Sequence, residues 1–175
     1  MYKNVDIKNY YNIVSMNDNV CDVIIEIPFR SNVKYELDHD TNRIVVDRIL
    51  QTSMMYPANY GFIDHTLAAD GDPLDALVIS NVTLIPGCAI KSKPVGIIYM
   101  EDEKGKDEKI LCVPDNKIDM TYADINDINA IPQHTIEEIK HFLQHYKDLE
   151  RGKFVNVTAV GGAKEAWACI KQYQR

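Results

Sequence analysis

The stretch VKYELDHDTNRIVVD, residues 33–47, predicts a β-hairpin and sets the fold class of the chain. Its first five residues alternate apolar and charged side chains, and this period of two places Lys34 and Glu36 on one face of a strand. Asp38–Asn42 is rich in turn-forming residues, and Arg43–Asp47 is the returning strand. The first half of the chain is therefore predicted to be β.

Short apolar runs bounded by turn residues continue on both sides of this hairpin. They predict further strands at Val20–Pro28, Tyr60–Ile63, Ala76–Ser80, Ala89–Met100, Lys109–Val113 and Phe154–Val160. Several short strands with turns between them are typical of a closed or nearly closed barrel. Two helices are predicted late in the chain, the first from a capping box of Thr135 and Glu138 to about Leu149 and the second over Ala163–Gln172.

The composition is that of a globular protein with 46% hydrophobic and 26% charged residues. We expect one domain over residues 1–175, since no repeat, low-complexity tract or linker divides the chain. A net charge of −7 argues against a nucleic-acid or anionic-membrane surface. No apolar run approaches the roughly 20 residues that span a bilayer. The expected protein is cytoplasmic and binds neither nucleic acid nor membranes.

The stretch DGDPLD, residues 70–75, crowds three carboxylates into a turn. Like charges held this close repel one another and raise each other's pKa unless a cation lies among them. Oxygen-only clusters of this kind bind hard divalent cations such as Mg²⁺. A solvated turn whose acids cap backbone groups is the alternative. A calcium loop of the helix–loop–helix type is excluded, because Pro73 falls inside it and the required Gly and Glu are missing.

A second acidic cluster lies on both sides of the predicted hairpin tip Lys104–Lys106. Glu101–Glu103 precedes the tip and Asp107–Glu108 follows it, so the hairpin would bring these acids together. Two acidic clusters could build two metal positions, the arrangement that serves two-metal displacement at phosphorus. A solvated charged loop is the alternative for this segment.

A phosphate held between such metals also needs cationic partners. The candidates are Lys34, Arg48, Lys109 and Lys147, each of which, taken singly, is more often a surface side chain. Tyr146 and Lys147 stand near the end of the first predicted helix, where side chains can project into a cavity. Tyr56 and Tyr60 are further candidates, with burial in the core as their alternative.

Taken together, these segments resemble the family I soluble inorganic pyrophosphatases of the short bacterial type. Residues 70–75 satisfy the family signature Asp-(Ser/Gly)-Asp-Pro-hydrophobic-Asp. The likeness extends in order through Val23–Pro28, Lys34–Glu36, Val46–Arg48, Tyr56–Gly61, Gly96–Lys109 and His141–Leu149. It implies hydrolysis of inorganic pyrophosphate to two orthophosphates, by attack of a Mg²⁺-activated water with an Asp as general base.

The resemblance also implies a role for each matching residue. Asp72 is similar to the family's general base. Metal ligands are matched by Asp70, Asp75 and Asp107 for the activating pair and by Asp102 for the metals that accompany substrate. Phosphate-holding positions are matched by Lys34, Arg48, Tyr60, Lys109, Tyr146 and Lys147. Supporting positions are matched by Glu26, Glu36 and Glu103, with Tyr56 as a second tyrosine near the site.

For the fold, the resemblance implies a mainly β, α+β architecture: a five-stranded OB-like β-barrel with flanking strands and two main helices. Several Mg²⁺ ions per active site are implied as cofactors, for which Mn²⁺ or Zn²⁺ could substitute. Short bacterial members form hexamers, with histidines at the positions of His141 and His145 at subunit contacts, so we expect a homohexamer.

Two other functions stay open. One is another metal-dependent phosphohydrolase, which would need an apolar or aromatic pocket for a base beside the aspartates, and no sequence pattern marks such a pocket. The other is a non-enzymatic OB-type binding module, since barrels of this kind often bind oligonucleotides. The net acidity of the chain argues against the second alternative.

Overall fold

The computed structural model describes residues 19–68 and 71–175 of the chain. Within these ranges the strands are β1 Cys21–Ile27, β2 Val33–Asp38, β3 Arg43–Ile49, β4 Asn59–Ile63, β5 Asp75–Val78, β6 Ala89–Asp102, β7 Gly105–Pro114 and β8 Val155–Gly162. The helices are α1 Gln133–His145 and α2 Ala163–Tyr173, with short 3₁₀ turns at Met120–Tyr122 and Ile128–Ala130 before α1. Every predicted strand and helix is present, although several bounds are shifted.

Five of the strands pair into a closed ring. Their order is β1, β4, β5, β7 and β6, and the first residues of β6 pair back with β1. Strand β5 runs parallel to β7, and the other pairs in the ring are antiparallel. The second half of β6 leaves β1 and pairs with β8 over Gly96–Asp102. This ring, flanked by β8 and by the separate β2–β3 hairpin, confirms the predicted architecture.

The two faces of the ring pack against different helices, because successive side chains of a strand point to opposite sides. In β7, Leu111 belongs to the core that contains Ile139 of α1, whereas Ile110 belongs to the core that contains Ile170 of α2. These side chains are buried, and each contributes about 1.5–3 kcal/mol to the hydrophobic free energy of folding. Neither helix, and no other helix in the described ranges, is long and apolar enough to cross a membrane.

Helix α1 begins earlier than predicted. It starts at Gln133, directly after Pro132, whose φ of −53° is already suited to a helix. The carbonyl of Pro132 accepts the Thr135 N–H at 2.9 Å, so Thr135 lies inside the first turn. The predicted capping box of Thr135 and Glu138 is therefore wrong, and no side-chain hydrogen bond caps the start of this helix.

Helix α1 also ends earlier than predicted, at His145 instead of Leu149. Tighter turns follow, in which the Asp148 N–H bonds to the carbonyl of His145 and the Glu150 N–H bonds to that of Lys147. Bonds from residue i+3 to residue i wind the chain more tightly than an α-helix does. The side chains after His145 consequently leave the helical repeat. This allows Lys147 to reach Asp102 at the end of β6.

Candidate active site

A charged cleft of about 680 Å³ opens between the ring, the β2–β3 hairpin and the segment that follows α1. The predicted site residues that line it are Glu26, Lys34, Glu36, Arg48, Tyr60, Asp72, Asp75, Asp102, Glu103, Asp107, Lys109, Tyr146 and Lys147. Tyr56 is buried next to the cleft, and Asp70 lies outside the described residues. The fold thus brings together almost all of the predicted set.

One side of the cleft, the acid wall, consists of Asp72, Asp75, Asp107 and Lys109. The parallel register of β5 and β7 pairs Asp75 with Lys109, and the period of two in β7 puts Asp107 on the same face. The Lys109 ammonium contacts Asp75 and donates to Asp107 Oδ1 at 2.7 Å. Burial, helped by the charge of Asp75, raises the pKa of Asp107. Burial alone would lower the pKa of Lys109, but its two carboxylate partners raise it.

Glu26 reaches the cleft from a β-bulge. The register of β1 against β4 shifts between Ile25 and Ile27, which leaves Glu26 as the extra residue. Bulges of this kind redirect a side chain next to functional sites. The Oε1 atom of Glu26 accepts the Leu37 N–H at 2.7 Å and so ties β1 to the hairpin. Burial, with a contribution from the charge of Asp75, raises the pKa of Glu26 to about 7.

The opposite side of the cleft, the hairpin wall, consists of Lys34, Glu36, Asp47 and Arg48. Lys34 and Arg48 are cross-strand partners in β2 and β3. Lys34 contacts Glu36, as expected for two side chains on one face, and its Nζ lies 3.5 Å from Asp47 Oδ2. Arg48 Nη1 donates to that same oxygen at 2.7 Å. Two cations therefore face the cleft with carboxylates at their sides, an arrangement that suits an anionic ligand.

Two further residues reach the cleft from the segment after α1. The Lys147 ammonium donates to Asp102 Oδ2 at 2.9 Å and lies 3.7 Å from Glu103 Oε2. Burial acts to raise the pKa of Asp102, but the hydrogen bonds from Lys147 and from the Lys104 N–H lower it. Burial raises the pKa of Tyr146, so that its hydroxyl stays protonated and can donate a hydrogen bond.

Tyr56 lies in the core behind the cleft. It is 2% exposed, and its ring centroid lies 4.7 Å from that of Phe142, 5.5 Å from that of Tyr60 and 6.4 Å from that of Tyr146. Burial raises the pKa of both Tyr56 and Tyr60 well above the ordinary value for tyrosine. The structure thus places Tyr56 as packing support for two tyrosines that line the cleft.

Comparisons with known proteins identify the family of this chain. A family model described as inorganic pyrophosphatase matches residues 23–175. The chain belongs to the inorganic pyrophosphatase family. A relative from Sulfolobus acidocaldarius, named inorganic pyrophosphatase, is 54% identical over 147 residues, which cover 84% of this chain and 85% of that protein. The resemblance predicted from the sequence is confirmed, and with it membership in a family of inorganic diphosphatases.

Solved structures of the family share the fold. The structure of the inorganic pyrophosphatase from Helicobacter pylori superposes with a TM-score of 0.88 at 43% identity, covering 92% of this chain and 95% of that one. The inorganic pyrophosphatase from Thermus thermophilus gives a TM-score of 0.85 at 42% identity, covering 89% and 90% of the two chains. The ring, the hairpin and both helices thus belong to a known family architecture.

Sequence reasoning missed three charged residues that line the cleft or contact a residue that lines it. Asp47 lies between Lys34 and Arg48, and its place next to Arg48 in the sequence was the available signal. Glu150 accepts a hydrogen bond from Arg48 Nε at 3.0 Å, and Lys153 Nζ lies 3.2 Å from the other oxygen of Glu150. No local pattern marks Glu150, because its partner Arg48 is 102 positions away in the chain.

Sequence reasoning also missed aromatic side chains beside the aspartates. The cleft is lined by Tyr35, His39, Phe62 and Tyr173 in addition to its charged residues. The rings of His39 and Phe62 lie 5.8 Å apart between centroids. No sequence pattern marks these side chains as neighbours of the acids, because the hairpin turn and strand β4 meet only in the folded chain.

The donor set of the cleft suits a divalent metal. Asp75 and Asp107 converge on one positive charge, that of Lys109, which shows that a cation between them is stabilised. Their donors are carboxylate oxygens, which Mg²⁺ prefers. In residues 19–68 and 71–175, no group of three or more Asp, Glu, His or Cys side chains is arranged to hold an ion by itself. The predicted ligand Asp70 lies outside these ranges.

Proposed function

We propose that this chain hydrolyses inorganic pyrophosphate to two orthophosphates. The observation that carries the proposal is a single cleft in which acids of the ring face cations of the hairpin and of the segment after α1. The relatives that are about half identical to the chain are named for the same reaction. A binding module for oligonucleotides has no comparable support, because acids line much of the cleft and the net charge is −7.

The cations of the cleft are proposed to hold the two phosphoryl groups. Pyrophosphate is small and strongly anionic, so it requires charge-assisted hydrogen bonds from several directions. Lys34 and Arg48 offer such hydrogen bonds from the hairpin, and Lys147 offers them from the segment after α1. Tyr60 and Tyr146 can add neutral donors, since burial keeps both hydroxyls protonated. Lys109 would bind phosphate once a bound metal ion neutralises the carboxylates of Asp75 and Asp107.

Asp72 is proposed to accept the proton of the attacking water. It lines the cleft in the loop before β5, as part of the acid wall, where a water could approach one phosphorus. Asp75 and Asp107, together with Asp70, would hold Mg²⁺, and Asp102 would hold the metal that arrives with substrate. Bound Mg²⁺ would offset the charge of pyrophosphate and make an attacking water more acidic. Glu26, Glu36 and Glu103 are proposed to orient water around these ligands.

Phosphate release tests the proposal directly. The protein is incubated with pyrophosphate or with ATP, each in Mg²⁺, Mn²⁺, Zn²⁺, Ca²⁺ or chelator, and orthophosphate is measured. We expect rapid release from pyrophosphate with Mg²⁺ and none with chelator. ATP is included because aromatic side chains adjoin the acids. No release from pyrophosphate with any metal would refute the proposed function, and faster release from ATP would favour the other phosphohydrolase.

The domain organisation, the oligomeric state and the cellular location are also proposals. Pairing of β6 with both β1 and β8 joins the two ends of the described chain, which supports one domain over residues 1–175.

A homohexamer is supported by exposed apolar side chains such as Ile49 and Leu149, and by the adjacent His141 and His145 rings. Light scattering coupled to size exclusion tests it, and a monomer mass would refute it. The cytoplasmic location is inferred from sequence alone.

A further inference from the structure

We propose that Glu150 is a positioning residue, which holds the guanidinium of Arg48 in the orientation that binds pyrophosphate. The inference rests on the proposed function and assigns a role to a residue outside the family motifs recognised in the sequence. Glu150 reaches Arg48 Nε at 3.0 Å with one carboxylate oxygen and Lys153 Nζ at 3.2 Å with the other. Both of these cations line the cleft, whereas the Glu150 side chain is only 7% exposed.

The backbone of Glu150 is fixed by its own hydrogen bonds. Its N–H donates to the carbonyl of Lys147 at 2.8 Å, and its carbonyl accepts the Lys153 N–H at 3.3 Å. These bonds belong to the tight turns that follow the early end of α1. A carboxylate on such a segment has a defined position, so it can serve as a fixed point for a longer and more flexible side chain.

Arg48 needs such a fixed point because of where it lies. Strands β2 and β3 form a separate two-stranded sheet, which is not hydrogen-bonded into the ring as a strand. Arg48 Nη1 donates to Asp47, but Asp47 is on the same hairpin and moves with it. The bond to Glu150 instead joins the hairpin to the segment that carries Tyr146 and Lys147. It therefore sets the distance between the cations of the hairpin and those of the segment after α1.

Two opposite effects of Glu150 on anion binding can be separated. Its negative charge weakens the attraction of Arg48 for phosphate, and on that ground alone its removal would tighten binding. Its geometry keeps the guanidinium ordered before substrate arrives, and on that ground its removal would weaken binding. The positioning effect is the larger of the two, because both carboxylate oxygens of Glu150 are engaged and the side chain is shielded from water.

The test compares Glu150→Ala, which removes both carboxylate oxygens and with them the contact to Arg48, with the parent protein. We measure KM and kcat for pyrophosphate and, by calorimetry in Mg²⁺, the Kd of methylenediphosphonate, an analogue that cannot be hydrolysed. The expected result is a rise of about tenfold in both KM and Kd with a smaller change in kcat, as for loss of uniform binding. Glu138→Ala, the same change on the exposed face of α1, is the matched control and should alter neither constant.

A double-mutant cycle shows whether Glu150 acts through Arg48. If it does, Arg48→Lys combined with Glu150→Ala should bind the analogue no more weakly than Arg48→Lys alone. The inference would be overturned if the two single effects on Kd multiplied in the double variant, and also if Glu150→Ala bound the analogue as tightly as the parent or more tightly. Should Glu150→Ala fail to fold, Glu150→Asp keeps the charge but shortens the reach, and a smaller rise in Kd is expected. A parent that neither hydrolyses pyrophosphate nor binds the analogue would refute the proposed function itself.

Discussion

The acid wall and the hairpin wall carry their charges on different kinds of support. Asp75, Asp107 and Lys109 belong to strands of the closed ring, where each strand is hydrogen-bonded on both sides. Lys34 and Arg48 belong to a two-stranded hairpin outside that ring. The hairpin is joined to the rest of the cleft by side-chain contacts, namely Glu26 with Leu37 and Glu150 with Arg48.

This difference fits the two tasks that we propose. Each metal ligand must lie within about 0.5 Å of its ideal position around the ion, and strands of a closed ring offer such rigidity. Phosphate-binding cations act over longer distances and can tolerate more movement, provided that ion pairs hold them near the cleft. The acid wall should accordingly control metal binding and the proton step, and the hairpin wall should control the affinity for pyrophosphate.

The largest effect is expected for Asp72→Asn on the acid wall. An amide cannot accept the proton of the attacking water, so kcat should fall about a hundredfold or more. The rate of phosphate release at saturating pyrophosphate and Mg²⁺ measures this. Asp124→Asn, the same change at an exposed position outside the cleft, is the control. Parental turnover by Asp72→Asn would remove this residue from the proposed mechanism.

A smaller effect is expected for Asp75→Asn, which removes one proposed metal ligand. The Mg²⁺ concentration for half-maximal rate should rise roughly 30-fold, within the range seen when metal sites lose a supporting group. Calorimetric titration with Mg²⁺ alone gives a second measure that does not depend on turnover. An unchanged Mg²⁺ affinity in both measurements would break the assignment of the acid wall to metal binding.

The hairpin wall is tested by Lys34→Met, which keeps much of the side-chain length and removes the charge. KM for pyrophosphate should rise about tenfold while the affinity for Mg²⁺ alone stays unchanged, because one charge-assisted contact with phosphate is lost. Lys164→Met on the exposed face of α2 is the matched control. If Lys34→Met weakened Mg²⁺ binding as much as Asp75→Asn does, the division of tasks between the walls would be wrong.

The smallest effect concerns Glu26, the residue that links the ring to the hairpin. Its pKa of about 7 in the folded state lies above the ordinary value of 4.5, so the folded state binds its proton more tightly than the unfolded state does. The stability of metal-free protein should therefore fall as pH rises from about 4.5 to 7 and stay lower above that. Glu26→Gln lacks this loss, so its stability advantage over the parent should grow as pH rises and level off above about pH 7.

Urea unfolding in chelator at fixed protein concentration measures this difference. At pH 5, where Glu26 is mostly protonated in the folded state, the two proteins should have nearly equal stability. Because the amide oxygen of Gln can still accept the Leu37 N–H, the link to the hairpin is kept in the variant. Equal stability curves between pH 5 and pH 8 would show that Glu26 is not buried as the structure places it.

Local patterns predicted the elements well and their ends less well. The alternation in Val33–Leu37 gave the right strand and the right face for Lys34 and Glu36, because a period of two is a property of consecutive side chains. The end of α1 was predicted too late, since hydrophobic spacing continues past His145 although the backbone turns there. The resemblance to the family named most of the residues that line the cleft, but it gave no reason to single out Glu150.

The amino-acid sequence by itself determined the β class, the two helices, the acidic motif at residues 70–75 and the family. These follow from neighbours in the chain, whose spacing and chemistry can be seen without a fold. Only the tertiary structure decided that Lys109 lies between Asp75 and Asp107, that Tyr56 is buried, and that Glu150 holds Arg48. Such contacts depend on strand order, register and ring closure, which are set by packing between distant segments.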